Sequence, residues 1–187
     1  MLLELSIVGI VIILLVILGF FILSYNRLIT LKNGADAGLA QIKVALKKRL
    51  DMITQLVDTA KGYAEFEKST MIAVTKMRSK VGQIMSAGEL SKIGSQSRKI
   101  LHNIIAVMEN YPDLKSNKNV IELMKAIRNV EDEISRHRYT YNNIIQDYNT
   151  KTEVVPSNIV ASVFHFTKLE YLEFNEAAIS KRPETKW

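Results

Sequence analysis

The chain has 187 residues, 48% of them hydrophobic and 24% charged, which excludes a disordered or wholly membrane-embedded protein and fits one ordinary domain. Cysteine is absent, so disulfides, thiolate metal sites and cysteine nucleophiles are ruled out. The formal net charge is +6, and with Glu4 set aside 25 basic residues stand against 18 acidic ones, a balance that favours anionic lipid headgroups or an acidic partner without excluding nucleic acid.

From Leu5 to Leu23 the run LSIVGIVIILLVILGFFIL carries no charge. About 19 residues at 1.5 Å each span roughly 28 Å, close to the hydrocarbon thickness of a bilayer. A transmembrane helix is therefore expected over residues 5–24, after a short extracytoplasmic terminus, 1–4. A cleavable signal peptide needs a basic start, a shorter apolar stretch and a small-residue exit. This run starts beside Glu4 and leaves through Ser24, Tyr25, Asn26 and Arg27. All Lys and Arg follow it, Arg27 and Lys32 closely, so the bias of positive charge toward the inside places residues 25–187 in the cytoplasm of a single-pass protein. An exported body is the alternative.

Residues 25–154 read as a helical bundle with a stalk near the membrane. Leu39, Ile42, Leu46, Leu50, Ile53, Val57, Ala60 and Ala64 recur in steps of three and four and predict a helix over about 35–64. It either continues the membrane helix or meets it at a bend near Asn33 and Gly34. Met71, Val74, Val81, Ile84 and Met85 predict a second helix, ended by Ser86, Ala87 and Gly88. A third runs over about 89–109 through Leu90, Ile93, Ile100, Leu101, Ile104 and Met108, and Pro112 stops it. The fourth stripe is Val120, Leu123, Ile127, Val130, Ile134, Tyr141, Ile144 and Tyr148, with His137 where an aliphatic is expected. The fold class expected is all-α, an N-terminal transmembrane helix followed by an antiparallel four-helix bundle with a short C-terminal helical segment.

Candidates for chemistry are few. The eight glycines are dispersed, with no phosphate-cradling motif, and His102, His137 and His165 lie far apart without a zinc-binding spacing. Arg136 and Arg138 flank His137, whose bland reading is a half-buried histidine bonded to a carbonyl. Glu131, Asp132 and Glu133 point about 100° apart on a helix and read as a polar face, and Lys47, Lys48 and Arg49 read as a solvated one. Tyr139 with two arginines falls short of a nucleic-acid stacking platform. No catalytic residue, metal ligand or cofactor is assigned.

Several blocks occur in a specific order: YNRLITLKN (25–33), QIKVALKKRLDMITQLVDTAKGYAEFEK (41–68), ENYPDLKSN (109–117), YNNIIQDYNT (141–150) and VPSNIVASVFHF (155–166). Over nearly its whole length the chain resembles the LemA family. The residues that carry the likeness are Tyr25 and Asn26 after the anchor, Asn110, Tyr111, Pro112, Asp113 and Leu114 before the last long helix, Tyr148 and Asn149, and the turn of Pro156, Ser157 and Asn158. Gly38-Leu39 stands where similar sequences often have Ala-Trp, Lys43 where an acidic residue is common and Thr54 where proline is usual. The resemblance implies a prokaryotic membrane protein with one N-terminal helix, a bundle inside, no established catalytic residues, and association with envelope processes and sometimes with membrane proteases.

Residues 155–187 form a C-terminal aromatic segment and basic tail. Pro156 is expected to end the fourth helix, and Ser157 or Asn158 to cap a short new one. The apolar surface beyond it must lie on something: on the bundle itself, or on lipid or a partner through the candidate interface residues Phe164, Phe166, Tyr171, Phe174 and Trp187. The function expected is a non-catalytic scaffold of the envelope, homo-oligomeric or bound to a membrane protein, with lipid held through the N-terminal helix and no nucleic acid or small-molecule substrate identified. The alternative is an accessory subunit of a membrane enzyme such as a protease.

Overall fold

The computed structural model describes residues 2–61, 68–83 and 86–173. It is all-helical among these residues, with α1 Leu2–Ala60, α2 Lys68–Val81, α3 Ala87–Glu109, α4 Pro112–Ser116, α5 Lys118–Glu153 and α6 Ser157–Val163. Helix α1 passes through Asn33 and Gly34 unbroken, so the expected membrane and bundle helices are one element. None of its most apolar window of 18 residues is buried. Aliphatic side chains such as Leu14, Leu15 and Val16 are bare on a helix of spanning length, the condition of a helix meant for lipid rather than for a protein core.

Contacts divide the chain into two compact units. One comprises Gly38–Tyr139 and, among the described residues of the C-terminal segment, Tyr171–Glu173. Its core joins Leu50, Ile53, Leu56, Val57 and Ala60 of α1 to Val74, Met77 and Val81 of α2, Ile93, Ile104 and Met108 of α3, and Val120 and Ile127 of α5. Four apolar stripes at helical spacing thus leave water together, as the sequence predicts. Leu114 of α4, fully buried, joins the same core. This explains the Asn-Tyr-Pro-Asp-Leu block: Pro112 opens a single turn at a position where its missing N–H costs nothing, and that turn drives Leu114 inward. Asn117 then accepts the backbone N–H of Asn119 through Oδ1 at 3.0 Å and starts α5.

Ser86 and Gly88 do not terminate the second helix. Helix α2 ends at Val81, and Ser86 is the N-cap of α3, in a capping box where its hydroxyl accepts the Glu89 N–H while the Glu89 carboxylate accepts the Ser86 N–H. The serine-to-glutamate spacing outweighs the glycine as a local signal. Ile84, Met85, Ala64 and the expected turn at 66–69 fall partly or wholly outside the described residues.

The other unit comprises Met1–Ala37 and Thr140–Glu170. Leu28 and Leu31 of α1, Tyr148 of α5, and Val160 and Ala161 of α6 form its core, with Phe20, Phe21, Tyr25, Ile144, Phe166 and Leu169 packed around them. Helix α6 has no side-chain N-cap; its N-cap position is Pro156. Ser157 lies inside the first turn, where its hydroxyl donates back to the carbonyls of Lys151 at 2.8 Å and Val154 at 3.0 Å, so it ties α6 to the end of α5 rather than capping it. Asn158 does not cap the helix either.

Helix α6 closes in a Schellman motif: the His165 N–H donates to Ser162 O at 3.2 Å and the Phe166 N–H to Ala161 O at 2.9 Å. His165 takes the left-handed position, φ 57°, which usually falls to glycine. His165→Gly is expected to stabilise this unit by about 1 kcal/mol, read as a higher thermal midpoint, because it removes the Cβ clash of that conformation.

Candidate functional site

Two constellations stand out, one in each unit. The first lies inside the bundle unit. Arg49, on the run read as solvated, is only 1% exposed. Its spacing explains this: Ile42, Leu46, Arg49 and Ile53 follow the three-and-four rhythm, so Arg49 sits on the core stripe while Lys47 and Lys48 face outward. Its guanidinium donates to Glu131 Oε2, to the Gly94 carbonyl at 2.7 Å and to Ser97 Oγ. Glu131, read as part of a polar face, takes Arg98 on its other oxygen, with Arg98 Nε at 2.8 Å. Glu133 does remain on the outer side, with Lys48 at 3.5 Å and His137 Nε2 at 3.7 Å. His137 is thus half-buried beside a carboxylate of its own helix.

Burial alone raises the Glu131 carboxyl pKa, but the Arg49 and Arg98 guanidiniums override it and hold the group below its usual range. Burial pulls Arg49 downward, with Glu131 acting the opposite way. An arginine nevertheless keeps its proton throughout the range proteins tolerate. Arg138, whose pKa burial and Arg98 also lower, donates to the Glu173 carbonyl, which accepts a second bond from Ser91 Oγ at 3.1 Å. Leu172, 1% exposed, seals the same place. The space left among Ile42, Leu46, Gly94, Arg98, Ile134 and Leu172 is about 10 Å³, room for at most a single water.

This cluster is built for cohesion. The Ser97 hydroxyl is committed, accepting from Arg49 and donating to the Ile93 carbonyl at 2.7 Å, and among the described residues no histidine or carboxylate is hydrogen-bonded to it. Among the described residues no group of three or more His, Asp or Glu comes together to hold a metal ion.

The second constellation is the strap that follows α6 in the unit of residues 1–37 and 140–170. Asn149, 7% exposed, clamps residue 169 from both sides: its Nδ2 donates to Leu169 O at 3.0 Å and its Oδ1 accepts the Leu169 N–H at 2.9 Å. One side chain thus replaces the backbone partners that an extended segment would otherwise lack. Tyr141 donates its hydroxyl to Glu170 O at 3.0 Å, and burial together with Asp36 and Glu170 raises its pKa. The ring of Phe166 lies 6.4 Å from Tyr148 and 5.8 Å from Tyr25, while Phe164 lies 4.7 Å from Tyr25.

The motif residues therefore converge in part. Tyr25, Tyr148, Asn149, Ser157 and Asn158 belong to this one unit, and Asn110 through Leu114 to the other. Of the candidate interface residues, Phe166 is packed within its unit, Phe164 is 50% exposed despite touching Tyr25, and Tyr171 is exposed. Phe174 and Trp187 lie outside the described residues. Sequence reading missed Arg49, Arg98, Ser97 and Glu131 as a set. The available signal was a polar residue on each of three core stripes, at Arg49, Ser97 and Glu131.

Comparison with known proteins places the chain among relatives. The chain is 30% identical over 149 residues to Protein LemA of Metamycoplasma hominis, covering 77% of this chain and 68% of that protein. It is 23% identical over 178 residues to magnetosome protein MamQ 2 of Paramagnetospirillum magneticum, 81% of this chain and 65% of the relative. Magnetosome protein MamQ of Magnetospirillum gryphiswaldense is 22% identical over 188 residues, 87% of this chain and 68% of the relative. The LemA family model matches residues 38–187, a stretch that holds the buried cluster, the Pro112 turn, the Asn149 clamp and α6 alike. With four-fifths of its length matched in this way, the chain belongs to the LemA family.

Proposed function

We propose that this protein is a non-catalytic scaffold, tethered to a membrane by the apolar part of α1, that works by presenting its helical bundle to further copies of itself or to another membrane protein. The observation that carries the reading is a contrast within the bundle unit. Its one charged side chain counted as buried among the described residues, Arg49, is paired with Glu131, whose other oxygen takes the exposed Arg98, while large apolar side chains stand bare on its outer surface: Val44 on α1, Ile72 on α2, Ile121 and Tyr139 on α5. A paired charge inside and open apolar groups outside suit assembly better than turnover. Mild detergent extraction followed by sizing and composition analysis tests it. Self-association, or a stoichiometric complex with a membrane protein that has no enzymatic activity, is the expected result. A single stoichiometric enzyme partner would shift the function to an accessory subunit, and a monomer alone would remove the scaffold.

The orientation we propose has the bundle in the cytoplasm and the N-terminus outside, supported by Arg27 and Lys32 just beyond the apolar run against Glu4 before it. Protease added to intact cells is expected to spare the bundle and to digest it after permeabilisation. Digestion from outside would reverse the assignment.

A further inference from the structure

The short helix α6 is apolar on two sides. Ser157, Val160 and Ala161 form its packed face, spaced for a helix and buried against its own unit. The opposite line should be polar if it met water. Instead it carries Ile159, 51% exposed, and Val163, 57% exposed, one turn apart, preceded by Val155 at 77% and followed by Phe164 at 50%. Five large apolar side chains, counting Val154, lie bare within about a dozen residues, while polar residues are plentiful on the adjoining part of α5.

The neighbours of α6 say where this bare face lies. Phe20 and Phe21, which belong to the last turn of the charge-free run, pack against the cluster that contains Val160 and Ala161. Tyr25, two residues past the end of that run, touches both Phe164 and Phe166. Helix α6 is therefore held beside the level of α1 at which hydrocarbon gives way to headgroups, where tyrosine and basic residues are favoured partners. Arg27 and Lys151, both exposed in the same unit, suit the phosphates there.

We infer that α6 and the turn before it form an interfacial wedge, with Val155, Ile159, Val163 and Phe164 seated in the headgroup–acyl boundary of the leaflet from which α1 emerges. The occupant of the bare face is lipid, by continuity with the apolar surface of α1, and the inference rests on α1 being the membrane span. The protein then holds its membrane at two points, a spanning helix and a short helix lying on the surface, and Asn149 and Tyr141 fasten the segment that follows the second point.

Because the chain has no cysteine, single cysteine variants report single sites. Ile159→Cys and Val163→Cys, labelled with an environment-sensitive fluorophore in the full-length protein, are compared with Leu14→Cys in the span and Asn143→Cys on the exposed side of α5. Vesicles of phosphatidylcholine and phosphatidylglycerol carry a nitroxide lipid or are bathed in iodide. The nitroxide lipid is expected to remove most of the emission at positions 159 and 163 and iodide little of it, with the reverse at 143. Iodide quenching at 159 and 163 equal to that at 143 would overturn the wedge, as would protection from both quenchers, which would mean a protein cover. Val155→Cys supplies a further position should one helical variant fail to fold. If the label at 14 escapes lipid quenching, the span itself is wrong; if only 159 and 163 do, the wedge alone fails.

Discussion

Glu131→Leu is expected to destabilise the bundle by about 3–5 kcal/mol, the cost of leaving a buried guanidinium without its counter-charge. Arg49 is 1% exposed, and without Glu131 it keeps only the Gly94 carbonyl and the Ser97 hydroxyl. Arg49→Met should cost clearly less, since Glu131 retains Arg98 through Nε and a terminal nitrogen, and Met fills much of the vacated stem. The double variant Arg49→Met with Glu131→Leu should be more stable than Glu131→Leu alone, because it also removes the stranded charge. Melting of the four proteins by far-ultraviolet circular dichroism closes the cycle. A Glu131→Leu protein as stable as the parent would mean that the cluster contributes nothing. Acid gives a second readout. The Glu131 carboxyl is depressed in the fold, so its contribution is fully present above the ordinary glutamate range and is lost as the pH falls through the depressed value. The acid-melting curve of Glu131→Leu should accordingly be flatter than that of the parent.

Asn149→Ala is expected to release the strap. It leaves the Leu169 N–H and C=O without the partner that satisfies both, at a cost of about 2 kcal/mol once water has taken part of the load. Hydrogen exchange at residues 166–170 should speed up while exchange in the bundle core, at Leu50 or Ile127, stays as it was. Asn149→Asp should behave nearly as badly, since a carboxylate still accepts the Leu169 N–H but faces the Leu169 carbonyl with no proton to donate. Tyr141→Phe removes only one bond, to Glu170, and should cost about 1 kcal/mol. Unchanged exchange at the strap in Asn149→Ala would show that the aromatic contacts of Phe166 hold it unaided.

The apolar stripes of the bundle were legible because helical periodicity and burial share one cause: a residue every three or four positions faces the same way. Val120, Ile127, Val130, Ile134, Tyr141 and Tyr148 all prove buried on α5. The charge-free run was legible by length alone. Arg49 was hidden by its neighbours, since a Lys-Lys-Arg run looks solvated until each residue is assigned to a face. Even then, only packing brings Arg49, Ser97 and Glu131 of three different helices to one place. The Tyr-Asn pair at 148–149 was visible as a pattern, but its role depends on a segment twenty residues later that has no periodicity of its own. Ser157 and Ser86 exchange their expected roles for a related reason: a serine near a helix start serves whichever N–H or C=O the backbone path brings within reach.

The unit of residues 1–37 and 140–170 joins two stretches far apart in the chain, and this sets a schedule for its making. Leu28 and Leu31 leave the ribosome long before Tyr148, Val160 and Phe166, their packing partners. At translation rates of about 5–20 residues per second the delay is on the order of ten seconds. Throughout that interval the apolar strip of Leu28 and Leu31 lacks the partners it packs against in the finished fold, so this unit can close only late in synthesis.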